Sequence, residues 1–197
     1  MKHSFWAAVL LSTIVMSCCR SNAGWTEEES DLISSGTGVM RVLTINDTQD
    51  SLFLRKDCKD FAADDIASDM YAMLAGRMVA TVTSPEQDGV GIAGPQVGIG
   101  RRIVAVQRFD KPGEPFEVYP NIRITAARGE KENGPEGCLS VPDRRGDVPR
   151  WQDIDISYTS PNTLKDTSET VKGYTAVIFQ HETDHLEGIL YIDRIIQ

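Results

Sequence analysis

QHETDHLEG, residues 180–188, decides how the rest of the chain is read. His181 and His185 are four positions apart, which on an α-helix puts both imidazoles on one face, one turn from each other. Glu182 sits between them, where a general base for a cation-activated water would stand. The pattern asks for a helix, expected over 172–186, and for a third protein ligand. Catalytic sites of this kind keep three protein ligands and one open position.

The histidines run out at once. The chain has three, and His3 lies in a separate N-terminal segment. A third histidine six positions after His185 would complete one zinc pattern, but that position is Tyr191. The carboxylates further on are Glu187 and Asp193, and Glu187 points away from His185 around the helix. Upstream, Cys138 in PEGCLSVP is the better candidate. A thiolate is a good ligand for zinc or iron(II), and the cation itself holds the sulfur deprotonated. Gly137 before it lets the backbone approach something bulky. A buried, inert thiol is the other reading of Cys138; with no histidine left for the pair, ligation is favoured.

At 197 residues, 41% hydrophobic and 25% charged, the chain suits one well-cored soluble domain. Its net charge of −9, with no basic run, argues against a nucleic-acid partner. Residues 1–23 differ in kind: Lys2 and His3, an apolar run from Phe5 to Met16, then small residues. That is the layout of a secretory signal, and the run is shorter than the roughly 20 residues of a bilayer span. Val15-Met16-Ser17-Cys18 also resembles a bacterial lipobox, so membrane attachment through a lipidated Cys18 is one expectation and cleavage near Ala23 the other. The expected location is the periplasm or a membrane anchor, and the cytoplasm if the leader does not function. Residues 24–38 are acidic and rich in Ser and Gly, which reads as a flexible tether. The catalytic domain is expected over 39–197. Cys58 and Cys138 remain in that body and could form one disulfide in an oxidising compartment.

Apolar spacing predicts a helix over 64–81 capped by Asp64, and a strand or extended segment over 41–45. Strands are expected over 103–106, 118–124 and 151–158. Short strands with two helices set apart along the chain suggest an α+β domain rather than a doubly wound sheet.

Three separated motifs, GVGIAGPQ (Gly89 to Gln96), EGCLS (Glu136 to Ser140) and QHETDH (Gln180 to His185), resemble those of peptide deformylases in order and spacing. The resemblance implies an α+β fold with antiparallel sheets around a central metal-binding helix. It implies a hydrolase that removes the formyl group from N-formylmethionyl peptides, releasing formate and a free N-terminal Met. Cys138, His181 and His185 would hold one divalent ion, usually Fe2+, with Zn2+, Ni2+ or Co2+ able to replace it. Glu182 would be the general base that passes its proton to the departing amine. The side-chain amide of Gln96 and the backbone N–H of Leu139 would stabilise charge developing on the formyl oxygen. The peptide would lie extended against Val90 and Gly91 as an added strand. Glu136, Gly137 and Arg145 complete the implied substrate-binding set, and Tyr174, Val177 and Ile178 would line an apolar methionine pocket. Asp184 is expected to orient the site, with Arg150 as its partner.

The chain departs from the family pattern in three places. Gly94 stands where a small Ala or Ser is usual, which is expected to loosen the wall carrying Gln96. Gly146 and Asp147 replace apolar residues after Arg145. The basic C-terminal helix by which some deformylases dock on ribosomes does not follow His185, so ribosome association is not expected. Two other readings compete: a related metallo-amidase of altered specificity, and a non-catalytic exported binding module. Retention of Glu182 beside the ligands argues against the second.

Overall fold

The fold is described from a computed structural model, for residues 24–36 and 38–196. The leader expected over 1–23 lies outside the described residues.

Two three-stranded antiparallel sheets form the frame. The first, in the order β1-β2-β3, joins Gly91–Ala93, Ile103–Gln107 and Phe116–Pro120. The second, β4-β5-β6, joins Arg123–Cys138, Val141–Thr159 and Asp166–Lys172. β2 reads IVAV and is buried at all four positions, so it is the centre of its sheet, whereas β1 is an edge. β4 and β5 make one long hairpin whose tight end pairs Cys138 with Val141. The strand expected over 118–124 is instead two strand ends: Pro120, which lacks an N–H to continue a ladder, closes β3, and the chain turns at Asn121 with φ 57°.

Among the described residues, five α-helices complete the fold: α1 Glu27–Ser34, α2 Thr48–Leu54, α3 Ala63–Ile66, α4 Asp69–Val82 and α5 Gly173–His185. The helix expected over 64–81 is split. α3 ends at Ala67, Ser68 is extended, and its hydroxyl accepts from the Tyr71 N–H to start α4, so Ser68 and not Asp64 is the cap. Leu74, Met78 and Val82 of α4 are fully buried in a core shared with Ile92, Ile99 and Ile103.

α5 touches β1 and β2 of one sheet and β4, β5 and β6 of the other, so it runs through the middle of the domain. Ala176, Ile178 and Phe179 bury its apolar side with Val104, Val106, Ile154 and Ile156. Gln180 fastens it to β5: its Oε1 accepts from the Trp151 N–H at 3.0 Å and its Nε2 donates to the Trp151 carbonyl at 2.7 Å.

The flexible tether expected over 24–38 is overturned. Thr26 and Glu29 form a capping box that starts α1, and Trp25 and Ile33 are buried in the α4 core. Burying such side chains contributes about 1.5–3 kcal/mol each, which favours order in an otherwise polar segment. Segment 41–45 forms no strand and ends in a turn, but it is pinned, with Leu43 N–H donating to the Gln96 carbonyl and Ile45 N–H to the Ser140 carbonyl.

Candidate metal centre and active site

Two elements bring the ligand atoms together. α5 carries His181 and His185, whose rings lie 5.1 Å apart, and the end of β4 delivers Cys138. One ligand atom from each of Cys138, His181 and His185 lies within 4.8 Å of the others. Cys138 Sγ is 3.2 Å from His185 Nε2, close to the roughly 3.5 Å separating a sulfur and a nitrogen bound to one tetrahedral ion. Cys58 and Cys138 are both free, which sets the disulfide reading aside. Burial pushes the Cys58 thiol up to about 12, so it is inert.

The electrostatics suit a cation. Burial works against a charged His181 ring, yet its hydrogen bonds to Cys138 and Glu136 outweigh this and raise its pKa well above the ordinary value. Burial, followed by the charges of His181 and Arg150, lowers that of His185. One ring is thus driven to hold a positive charge while its neighbour is kept neutral. A divalent ion held by Cys138, His181 and His185 would supply the positive charge that the site favours at His181 and would leave both imidazoles neutral. Together with the convergence of the donors, this fits a single divalent ion.

Glu182 is buried beside the ligands, and burial raises its pKa to about 7. Its Oε2 has no hydrogen-bond partner among the described residues. Gly91 makes room for it: a Cβ there would stand 2.5 Å from Glu182 Oε1 and 2.8 Å from Ile178 Cγ2. Any side chain at 91 would displace the carboxylate.

Gln96 sits in a 3-10 turn over Gly94–Val97 that follows β1. Its Oε1 accepts from the Ala93 N–H at 2.8 Å, which aims Nε2 at the centre. There Nε2 donates to Ser140 Oγ at 3.2 Å and lies 3.6 Å from Cys138 Sγ. Leu139 occupies the turn between β4 and β5, directly after Cys138.

Behind the ligands runs a chain of charges. His181 Nδ1 bonds Glu136 Oε2 at 2.7 Å, and Arg150 donates Nε to Glu136 Oε1 at 2.7 Å and Nη1 to Asp184 Oδ2 at 2.6 Å. Arg194 closes the chain with two bonds to Asp184. The expected Arg150–Asp184 pair is present. Glu136, expected to bind substrate, has its carboxylate committed to His181 and Arg150. Its side chain thereby orients a ligand ring.

A cleft of ≈ 830 Å³ opens over the centre. Of the residues expected to bind substrate, Val90, Gly91, Gly137, Arg145, Tyr174, Val177 and Ile178 all line it, as does Glu136. β1 forms one wall with its free edge. Sequence reasoning missed Ser140 and Tyr191, whose ring stacks on His181 at 5.9 Å. The position of Tyr191 depends on a 3-10 turn over Tyr191–Asp193 that no local pattern announces. At the two departures after Arg145, the C-terminal segment packs back: Ile195 lies against Gly146, and Ile196 N–H donates to the Asp147 carbonyl.

Comparison with known proteins gives one consistent result. The family model for polypeptide deformylase matches residues 39–197. Peptide deformylase 1 of Clostridium perfringens is 39% identical over 154 residues, covering 78% of this chain and 97% of that protein. Among solved structures, the Met-Ala-Ser-bound class I type b peptide deformylase of Acinetobacter baumannii superposes with a TM-score of 0.70 at 34% identity. It covers 81% of this chain and 100% of its own. The Thermotoga maritima peptide deformylase gives 0.70 at 32% identity, covering 81% and 99%.

Proposed function

The chain belongs to the peptide deformylase family, metal-dependent hydrolases that remove the formyl group from peptides, and on that premise we propose which residues do the work. Cys138, His181 and His185 hold the divalent ion. When bound, the ion acidifies water and polarises the formyl oxygen. Glu182 takes the proton of the attacking water on Oε2, its oxygen without a partner, and returns it to the nitrogen of the departing amine as the formyl C–N bond breaks. Gln96 Nε2 has two hydrogens. One is held by Ser140 Oγ; the other, which meets Cys138 Sγ at 3.6 Å, turns to the formyl oxygen as its charge grows, together with the Leu139 N–H.

The substrate is an N-formylmethionyl peptide. Its backbone pairs with the open edge of β1 at Val90 and Gly91, as an added strand. The methionine side chain lies among Tyr174, Val177 and Ile178, and Arg145 holds the chain further out. The A. baumannii peptide deformylase solved with Met-Ala-Ser bound supports this class of ligand. The thiolate-bearing ligand set suits Fe2+ under reducing conditions and Zn2+ where oxygen reaches the sulfur. Residues 1–23 are read as an export signal, with Cys18 the candidate for lipid attachment. The mass of the mature N-terminus tests that part.

One observation carries the reading: a thiol and two imidazoles converge beside a buried carboxylate oxygen that has no hydrogen-bond partner among the described residues. The test is formate release from formyl-Met-Ala-Ser by protein loaded anaerobically with Fe2+ or with Zn2+. Release is expected, with a loss of about 10²-fold or more in Glu182→Ala. Absence of release from protein that carries the ion would overturn the assignment. Cleavage of another acyl amide in its place would point to the altered-specificity reading.

A further inference from the structure

α1 lies outside residues 39–197, the part that matches the family. It nevertheless reaches the turn that carries Gln96. Glu29 holds both Nε and Nη2 of Arg101 at 2.8 Å, and Arg101 Nη2 also donates to the Gly24 carbonyl. The Arg101 guanidinium lies 5.5 Å from the Trp25 ring and 5.6 Å from the Phe61 ring. At the other end of the helix, Arg77 donates to the Leu32 and Ile33 carbonyls at 2.8 and 2.7 Å. Leu32 Cδ2 stands 3.0 Å from where a side chain on Gly98 would begin.

The held segment, residues 99–101, presses on Gly94. A Cβ there would meet the Arg101 carbonyl at 2.7 Å, the Ile99 carbonyl at 2.9 Å and Ile103 Cγ2 at 2.9 Å. The wall is therefore not loosened by Gly94, contrary to the expectation from sequence; its space is filled by backbone. Gly94 opens the turn whose third residue is Gln96, and its carbonyl accepts from Ile99 N–H at 3.0 Å.

We propose that α1 is a positioning element for catalysis: through Glu29–Arg101 and Leu32–Gly98 it presses residues 98–101 against Gly94 and so fixes the Gln96 amide. The proposal rests on Gln96 being the oxyanion donor assigned above. Glu29, Arg101 and Leu32 touch no substrate and act through the Gly94–Val97 turn. Loosening the brace widens the scatter of Nε2 and lowers kcat, while the peptide-binding edge at Val90 and Gly91 keeps KM unchanged.

The experiment compares Glu29→Gln, Leu32→Ala and Gln96→Ala, singly and combined, in the metal-loaded full chain. Glu29→Gln keeps a hydrogen-bonding group for Arg101, and Leu32→Ala loosens α1 without touching any charge, so a folding failure in one leaves the other informative. Glu29→Gln and Leu32→Ala are each expected to lower kcat about 3- to 10-fold at constant KM. Gln96→Ala is expected to lower it about 10²-fold or more, with neither brace variant adding to that loss. Independently of activity, backbone hydrogen exchange at Val97, Gly98 and Ile99 should quicken in both brace variants. Unchanged kcat and unchanged exchange at 97–99, with α1 itself exchanging faster, would overturn the brace, as would losses that multiply fully with Gln96→Ala. An inactive-site role for Gln96, shown by wild-type kcat in Gln96→Ala, would overturn the donor assignment and the brace with it.

Discussion

Gly91 and Glu182 share one space: the Cβ that glycine lacks would lie 2.5 Å from the carboxylate Oε1 and 2.9 Å from its Cδ. The edge strand β1, proposed to receive substrate, and the helix α5, which carries the proposed base, are thus fitted to each other at this point. Gly91→Ala must push Glu182 or Ile178 aside. We expect kcat for deformylation to fall about 10²-fold, since a positioned general base contributes 10²–10⁴-fold. The metal content should be that of the wild type. A Gly91→Ala enzyme with near wild-type kcat would show that the carboxylate position is not critical.

Glu136 accepts from His181 Nδ1 and is fixed by Arg150 from its other side. Removing such a partner of a ligating imidazole costs about 10–100-fold in metal affinity. Glu136→Gln is therefore expected to release the ion to a chelator at correspondingly lower concentration, measured by competition with a coloured chelator. If its role were peptide contact, KM would rise and the metal affinity would stay.

Arg150 joins Glu136 and Asp184 with its side chain only 5% exposed. Replacing it by Met leaves two buried carboxylates with less compensation, although Arg194 still holds Asp184. Breaking a buried pair in this way costs about 3–5 kcal/mol. Denaturant unfolding of the metal-free protein should show a loss of that order, and a change under about 1 kcal/mol would mean that the network contributes specificity more than stability.

Glu29 has its pKa lowered from 4.5: burial opposes the charge, but the hydrogen bonds from Arg101 and the Thr26 N–H outweigh it. A carboxyl depressed in the folded state adds stability above its unfolded pKa and loses it as pH falls through the folded value. Acidification below 4.5 should therefore loosen α1, seen as faster hydrogen exchange over residues 27–34. In Glu29→Gln that part of the pH dependence should be flat. An identical acid profile in the variant would remove Glu29 as the cause.

The ligand set was legible because it is a matter of counting: three histidines, one outside the domain, and one cysteine in a glycine-flanked turn. α5 was legible from the 181–185 spacing alone. It packs against both sheets and buries polar residues such as Gln180, Glu182, Thr183 and Asp184 along with its apolar ones, so no solvent face marks a period. α1 was missed because half of its eight residues are acidic and only Leu32 and Ile33 are apolar. The Thr26–Glu29 capping box was nonetheless readable, three positions apart. β4 was missed because its long exposed part alternates weakly, and charges such as Arg128 pair across to Asp153 and Asp155 instead of marking a face. The role of Glu136 and the close fit at Gly94 depend on residues 14 or fewer positions away in sequence but fixed by tertiary contacts, Arg150 in one case and Arg101 in the other. Local pattern contains neither.

The central claim is that one cation is held by Cys138 with His181 and His185. Elemental analysis of purified wild-type protein and of Cys138→Ala, after identical loading and desalting, tests it directly. About one ion per chain is predicted for the wild type and close to none for the variant, as three protein ligands fall to two. Equal metal content in the two proteins would contradict it.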